Sequence, residues 1–308
     1  MAKASRESFG EILAELGEIY PDIVVLDADL SKSTRSEIFA KKFPNRFFEM
    51  GIAEANMIGT AAGLALCEKI PFICSFAVFL TGRYDIIRMS IAYSEANVKI
   101  VGTHAGIGIG EDGNSQMGLE DIGLMRGLPG MVVIQPADDI ETKEAVKWAV
   151  KHKGPVYLRL TRQKLEDINT KDYKFECGKG VILKEGKDIA VFATGGLTYN
   201  ALKASLELEK EGISCRVINI HTIKPIDKDL ILECSKKFKK VITCEDHNII
   251  NGLGSAVAEV IAEEAQVKLK RIGLPDVFGE SGSPEDLYKK YGFDSENLKK
   301  TIKDFLKN

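Results

Sequence analysis

One carboxylate heads the most unusual segment of the chain. Glu54 precedes the run Met57–Leu66, which has no charged residue, so the sequence predicts a buried helix with Glu54 near its first turn. A carboxylate there either partners the positive end of the helix dipole or acts as a tuned acid. Burial against apolar neighbours favours the protonated form of a carboxyl group, a setting suited to holding or giving a proton. The second chemistry-bearing segment is THAGIGIGEDGNSQ (103–116). It gathers His104, Glu111, Asp112, Asn114 and Gln116 between glycines. A mere spacer has no use for an imidazole, two carboxylates and two amides, so this loop reads as functional.

Two further groups are candidates. SFAVF (75–79) ends a strand pattern with Phe76 and Phe79, followed by Arg83 and Tyr84. Such aromatics either fill a core or wall a flat heterocycle at the rim of a pocket. LRLTRQ (158–163) closes another strand with Arg159 and Arg162. The ordinary fate of one is a surface ion pair; the other is able to hold phosphate through its planar fork. No Walker loop, G-x-S-x-G elbow, kinase or zincin motif occurs, and no serine or cysteine is set up as a nucleophile. The polar groups can position a substrate without supplying a covalent catalyst, so the site calls for a cofactor.

The elements that must position these residues alternate. Over 1–165, strand patterns at 22–28, 70–76, 98–104, 131–136 and 155–160 are separated by helical patterns at 4–19, 53–67, 81–96, 118–127 and 138–151. Continuous apolar strands between helices predict a parallel sheet covered on both faces. Its ligands would gather at the carboxyl ends of the strands, where Asp27, Asp29, Ser33, His104 to Gln116, Gln135 and Asp138 all fall. Residues 166–187 are polar and turn-rich and read as a linker. A second α/β domain, 188–308, follows, with strands at 188–194, 215–220, 240–245 and 267–273 and helices at 197–211, 227–237, 253–265, 284–291 and 294–306. The fold class is therefore α/β, two domains, each a mostly parallel sheet with helices on both faces. GGLTYNA (195–201) and NGLGSAV (251–257) put glycines before helices, where N–H groups could hold an anion. Neither matches the dinucleotide fingerprint, and both read as structural turns.

Composition narrows the classes. The 308 residues suit two ordinary domains, with 44% apolar content and a net charge of −3. There is no basic surplus for nucleic acid, no apolar run of about 18 residues and no signal or transit pattern. No membrane association is expected, and the location reads as cytoplasmic. The six cysteines are scattered without a C-x-x-C pair; Cys67, Cys74, Cys215 and Cys244 lie in apolar stretches and read as core filler in a reducing compartment. No metal site is visible.

The whole length resembles the C-terminal part of transketolase, a pyrimidine-binding domain followed by the C-terminal domain. Seven segments carry the resemblance in order and spacing: STRSEIF (33–39), GIAEANM (51–57), SFAVF (75–79), GIGEDGNSQMGLED (108–121), TIKPID (222–227), CEDHN (244–248) and SGSPEDLYKKYGFD (281–294). Transketolases also carry an N-terminal domain whose GDG motif helps hold the diphosphate and Mg²⁺ of thiamine diphosphate. No GDG occurs here, and the chain begins where that domain would end, so it resembles the C-terminal subunit of a split transketolase.

The resemblance implies roles. Glu54 would hydrogen-bond the cofactor's pyrimidine and promote its imino tautomer, Phe79 would stack on that ring with Phe76 beside it, and Asp29 would lie near the thiazolium. His104 matches the histidine contacting donor hydroxyls, and Asp112 the aspartate that reads a sugar hydroxyl's configuration. Arg6, Ser33 and Arg162 match the phosphate-binding group. Gln116 stands where bacterial-type enzymes often have histidine and animal-type enzymes have glutamine. Gly82 replaces a tyrosine of some members, leaving the ring pocket more open.

The implied activity is thiamine-diphosphate-dependent transfer of a two-carbon ketol unit from a ketose phosphate to an aldose phosphate. The implied partners are an N-terminal subunit carrying the diphosphate and Mg²⁺ and a second copy of this chain, in an α2β2-type assembly. The helices 53–67 and 81–96 are the interface candidates. Two alternatives share the fold: a 1-deoxyxylulose-5-phosphate synthase-like subunit and a 2-oxo acid dehydrogenase beta-type subunit. A non-catalytic binding or regulatory homologue is the alternative from another class.

Overall fold

The computed structural model describes residues 2–307. Its strands, in chain order, are β1 (Lys3–Ala4), β2 (Ile23–Asp27), β3 (Phe47–Glu49), β4 (Ile70–Phe76), β5 (Lys99–Thr103), β6 (Val132–Ile134), β7 (Val156–Arg159) and β8 (Lys164–Leu165) in the first half. The second half contributes β9 (Val181–Lys184), β10 (Ile189–Ala193), β11 (Cys215–Asn219), β12 (Thr222–Lys224), β13 (Lys240–Asn248) and β14 (Lys268–Leu274). A seven-stranded sheet runs β12-β6-β7-β5-β4-β2-β3, and a five-stranded sheet runs β14-β13-β10-β11-β9. All pairings in the two sheets are parallel except β12 on β6 and β9 on β11. β1 and β8 form a separate antiparallel pair.

The strands are parallel because they are apolar on both faces. Every residue of β2, β5, β10 and β11 is buried, so helices must cover both sides and provide the crossovers. On one face of the first sheet, Phe72, Val101 and Leu158 pack with Phe9 and Leu13 of the helix Ser5–Ile19 and with Val146 of the helix Asp139–Lys151. On the other face, Leu26, Ile73 and Ile100 meet Met57 and Ile58 of the helix Glu54–Leu66. That core continues without a break into Phe192, Ile218, Val241 and Leu253 of the second half. Asp138, Asp227 and Ser283 cap their helices with side-chain oxygens, each satisfying an otherwise orphaned N–H.

The structure departs from the sequence expectations in several places. The expected helix 81–96 is three pieces, Ala77–Thr81, Tyr84–Ile86 and a π-helical Ile87–Ala92. The break falls at Gly82–Arg83, where Arg83 leaves the helical region at φ −117°. The helix expected at 118–127 shortens to Asp121–Arg126. The short β3 and β12 escape periodicity because three residues show no period. β9 comes from the stretch read as linker, and β12 leaves the second half to extend the first sheet. Of the cysteines read as core filler, Cys74, Cys215 and Cys244 are buried, but Cys67 is exposed at the end of its helix. The helix Glu54–Leu66 buries only one side within this chain; Gly59 and Gly63 face open space and Leu66 is 78% exposed. No helix among the described residues is long and apolar enough to cross a membrane.

Candidate active site

The first sheet delivers its polar residues along one rim. β2 and β4 run in register with Asp27 opposite Cys74, and β4 and β5 with Phe76 opposite Thr103. The chain therefore leaves three adjacent strands at Ala28, Ala77 and His104. Glu54 is the first residue of its helix, whose preceding residue Ala53 provides no side-chain cap. It is 6% exposed, and Ser75 Oγ donates to its Oε1 at 3.0 Å. That bond fixes the carboxyl at the edge of a cavity of about 390 Å³ lined by Asp29, Leu30, Ile52, Val78, Phe79 and Gly82. Asp29 is held at φ +63°, its N–H donating to Glu49 Oε1 at 2.8 Å.

A stack of three rings separates this cavity from a second one. Phe76 lies parallel to Phe79 at 5.5 Å on one side and to His104 at 3.7 Å on the other. The second cavity, about 250 Å³, is lined by Arg6, Lys32, Ser33, Arg35, Phe76, His104, Asp112 and Arg162. Arg6 Nη1 donates to the Ser33 carbonyl at 2.8 Å and meets His104 Nε2 at 3.1 Å. A guanidinium only donates, so Nε2 is the acceptor and the proton sits on Nδ1, directed at Thr103 Oγ1 2.9 Å away. The imidazole is neutral: burial, then the charges of Arg6 and Arg162, push its pKa down to about 3.

The cations are arranged by a buried acid. Asp27 accepts from Leu30 N at 2.7 Å, Thr34 Oγ1 at 2.7 Å and Ser36 Oγ at 2.8 Å, folding residues 28–36 back over the strand end. Burial pushes its pKa up to about 6. The turn presents Asp29 to one cavity and Lys32, Ser33 and Arg35 to the other. Arg35 pairs with Glu7 at 3.1 Å, and Arg162 with Asp112 at 3.1 Å. The Arg6 guanidinium is held below its ordinary pKa by burial and then by Arg35 and Arg162, and its buried Nε has no acceptor.

The glycine loop is stiffened from the second half of the chain. Ile107 and Ile109 are part of the core around β10 and β11. Asp246, at the end of β13, accepts from Ile107 N at 2.8 Å and from Tyr288 OH at 2.8 Å. Gly106 lies at φ +85°, and a Cβ there would come within 2.3 Å of Asp246 Oδ2. Asn114 serves this docking too, its Oδ1 accepting from Gly279 N at 2.7 Å. Gln116 lines neither cavity, and Glu111 is exposed.

Both arginines that follow the β7 pattern are ion-paired: Arg159 with Asp121 in a buried pair, Arg162 with Asp112 at the cavity. Arg159 Nε donates to Asp121 Oδ2 at 2.8 Å, and Tyr157 OH shares the same oxygen at 2.7 Å. Arg162 reaches the cavity. The glycine turn at 251–254 proves to be filled from within: Glu245 accepts from Leu253 N at 2.6 Å and Gly254 N at 2.8 Å. The structure thus brings Asp29, Glu54 and Phe79 to one cavity and Arg6, Ser33, His104, Asp112 and Arg162 to the next, with Phe76 between. Sequence reading placed Asp27 on this rim without giving it a role, and it missed Ser75, Thr103, Lys32 and Arg35. For the last two a signal existed, since SKSTR places two cations beside Ser33 just after a strand.

Comparison with known proteins places the whole chain in one family. The family model for the transketolase pyrimidine-binding domain matches residues 1–167, and that for the transketolase C-terminal domain matches 178–298. A protein of Methanocaldococcus jannaschii described as a transketolase C-terminal section is 51% identical, covering 99% of this chain and 97% of its own length. A 6-deoxy-6-sulfo-D-fructose transketolase subunit of Clostridium sp. is 40% identical over 95% of this chain and 91% of its own. Among solved structures, a split-gene transketolase described as an inactive beta4 tetramer superimposes with a TM-score of 0.92 at 48% identity, covering 99% of this chain and 98% of that one.

Proposed function

The chain belongs to the transketolase family, and from that premise we propose that it is the half of a two-chain enzyme that holds the pyrimidine end of thiamine diphosphate and the sugar substrate. The reaction is transfer of a two-carbon ketol unit from a ketose phosphate to an aldose phosphate. One observation carries this reading. A carboxyl fixed by Ser75 stands at the edge of a largely apolar cavity beside Phe79, one ring stack away from a cavity of arginines.

The residues fit the cofactor they would hold. A flat pyrimidine suits the slot between Phe79, Val78, Leu30 and Ile52, where apolar walls and an aromatic face bind a heterocycle. Glu54 would meet it with the carboxyl oxygen that Ser75 leaves free, holding a proton at a ring nitrogen. Asp29 lines the same slot and would face the cofactor's second ring. Bound there, thiamine diphosphate supplies the nucleophilic carbon and electron sink for breaking a carbon–carbon bond beside a carbonyl. Gly82 adds no side chain to the slot.

The second cavity takes the sugar. His104, fixed as the Nδ1–H tautomer by Thr103, is a neutral group at the inner wall; a sugar hydroxyl donating to its Nε2 would take the place that Arg6 fills there and free that guanidinium for the phosphate. Asp112, held by Arg162, is the acceptor for a hydroxyl further out. Arg6, Ser33 and Arg162 surround the terminal phosphate. Gln116 has no contact of this kind and would act only if the loop moved or a partner covered it.

The diphosphate and Mg²⁺ are assigned to a separate N-terminal chain, in an assembly with two copies of each. What supports this is the match of both halves to the C-terminal portion of transketolases and the description of a close structural neighbour, formed of beta chains alone, as inactive. The test is calorimetry of thiamine diphosphate with Mg²⁺ on this chain alone and mixed with the N-terminal chain, followed by a donor panel. Binding and ketol transfer only in the mixture is expected. Tight binding and turnover by the lone chain would overturn the split-site reading. Turnover of pyruvate or branched 2-oxo acids in place of ketose phosphates would move the reaction to the related enzymes.

A further inference from the structure

The cavity that takes the sugar's terminal group contains more positive charge than the arginines assigned to the phosphate account for. Arg6, Lys32, Arg35 and Arg162 all line it. Glu7 compensates Arg35 at 3.1 Å and Asp112 compensates Arg162 at 3.1 Å. Glu37 lies 3.9 Å from Arg35 and feels Lys32, but its carboxylate is bonded to Lys41 at 2.8 Å. His104 is neutral and adds nothing. Four cations against two committed carboxylates leaves a surplus of two, carried by Arg6 and Lys32. Lys32 is in no salt bridge among the described residues, and Arg6 keeps a buried Nε–H without an acceptor.

We propose that Lys32, with Arg35, makes this cavity selective for a doubly ionised terminal group, so that the enzyme reads a phosphate ester by its second negative charge. The proposal deepens the ketol-transfer reading and rests on it for the identity of the substrate as a sugar. Its chemistry is general. A phosphate monoester takes its second charge near pH 6 and is a dianion at pH 7.5. A sulfonate offers three oxygens in nearly the same shape with a single charge. Arginine forks recognise the shape of both, whereas a lysine ammonium acts as a point charge and adds attraction in proportion to the charge it faces. Arg35, already compensated by Glu7, sets the electrostatic background, and the uncompensated Lys32 provides the discrimination.

The four cations all belong to this chain, so their effect on binding can be measured on the full chain without its partner. Calorimetry at pH 7.5 and constant ionic strength would compare ribose 5-phosphate with 5-deoxy-5-sulforibose. The expected result is about tenfold or more tighter binding of the phosphate, with that ratio reduced severalfold in Lys32→Ala and, separately, in Arg35→Gln. Lys32 is exposed, so its variant should fold. A purely structural effect would weaken both ligands equally and leave the ratio unmoved. Equal affinity for the two ligands in the unaltered chain, or a ratio unchanged in Lys32→Ala, would overturn the proposal. If the chain discriminates as stated but the reconstituted assembly transfers no ketol unit from any donor, the charge selectivity stands and the transferase reading falls.

Discussion

Glu54 is useful because of what surrounds it rather than what precedes it in the chain. Its helix begins without a side-chain cap, so the carboxyl is left for Ser75 and for a ligand. Replacing it with glutamine keeps the shape but removes the group proposed to hold the proton at the cofactor ring. Glu54→Gln should lower the turnover of the reconstituted enzyme by a factor on the order of 10² or more while the circular dichroism spectrum stays unchanged. A rate near normal would remove Glu54 from its proposed role. At this scale the sequence was readable where residue type and spacing were unusual, as for Glu54 and His104. It gave Asp27 a place on the rim but no role and was silent on Ser75, because an aspartate ending a strand and a serine before a phenylalanine are ordinary until their partners come into contact.

At the scale of elements, the glycine loop 103–116 works as a rigid wall. Its apolar residues are part of the second core, and Asp246 holds its turn from across the chain. Gly106→Ala would force a Cβ toward that carboxylate at a left-handed φ, a cost of about 1–3 kcal/mol. Denaturant unfolding should show this loss together with weaker sugar-phosphate binding; an unchanged midpoint would mean the loop yields.

A second element-level contact joins the helix Asp139–Lys151 to the connecting segment. The fully buried Glu141 accepts from Tyr173 OH at 2.6 Å and from Asn219 Nδ2 at 2.8 Å. Burial pushes its pKa up to about 7 from an unfolded value of 4.5. A raised carboxyl contributes stability that is complete below the unfolded pKa and is lost as pH rises through the folded one. Between pH 5 and 8 the melting temperature of the unaltered chain should therefore fall relative to that of Glu141→Gln. Parallel curves would show that Glu141 does not titrate in this window.

At the scale of the molecule, several large apolar side chains among the described residues are left uncovered. Ile52, Leu66 and Tyr93 are 85%, 78% and 81% exposed, and they lie on or beside the two segments read from sequence as interface candidates. Ile52 also lines the proposed cofactor slot, so a chain docked over it would close the slot. Large exposed apolar residues near a functional cavity mark association surfaces. The double variant Leu66→Glu, Tyr93→Glu is expected to keep its fold, to lose assembly by light scattering, and to lose activity in the mixture. Assembly that persisted would place the interface elsewhere.

The sequence by itself determined the alternation of strands and helices, the parallel sheets and the candidate catalytic loop. Those depend on apolar periodicity and on side-chain chemistry that is local. The short strands β3, β9 and β12, the broken helix after Phe79 and the destination of each arginine were decided only in three dimensions. Arg159 and Arg162 sit three residues apart with the same chemistry. Arg159 became a buried strut because Asp121 and Tyr157 close around it, while Arg162 reached the cavity because Asp112 and the Ile109 carbonyl draw it there. Partners so distant in sequence leave no local pattern, because their interaction exists only once the sheet has set the strands side by side.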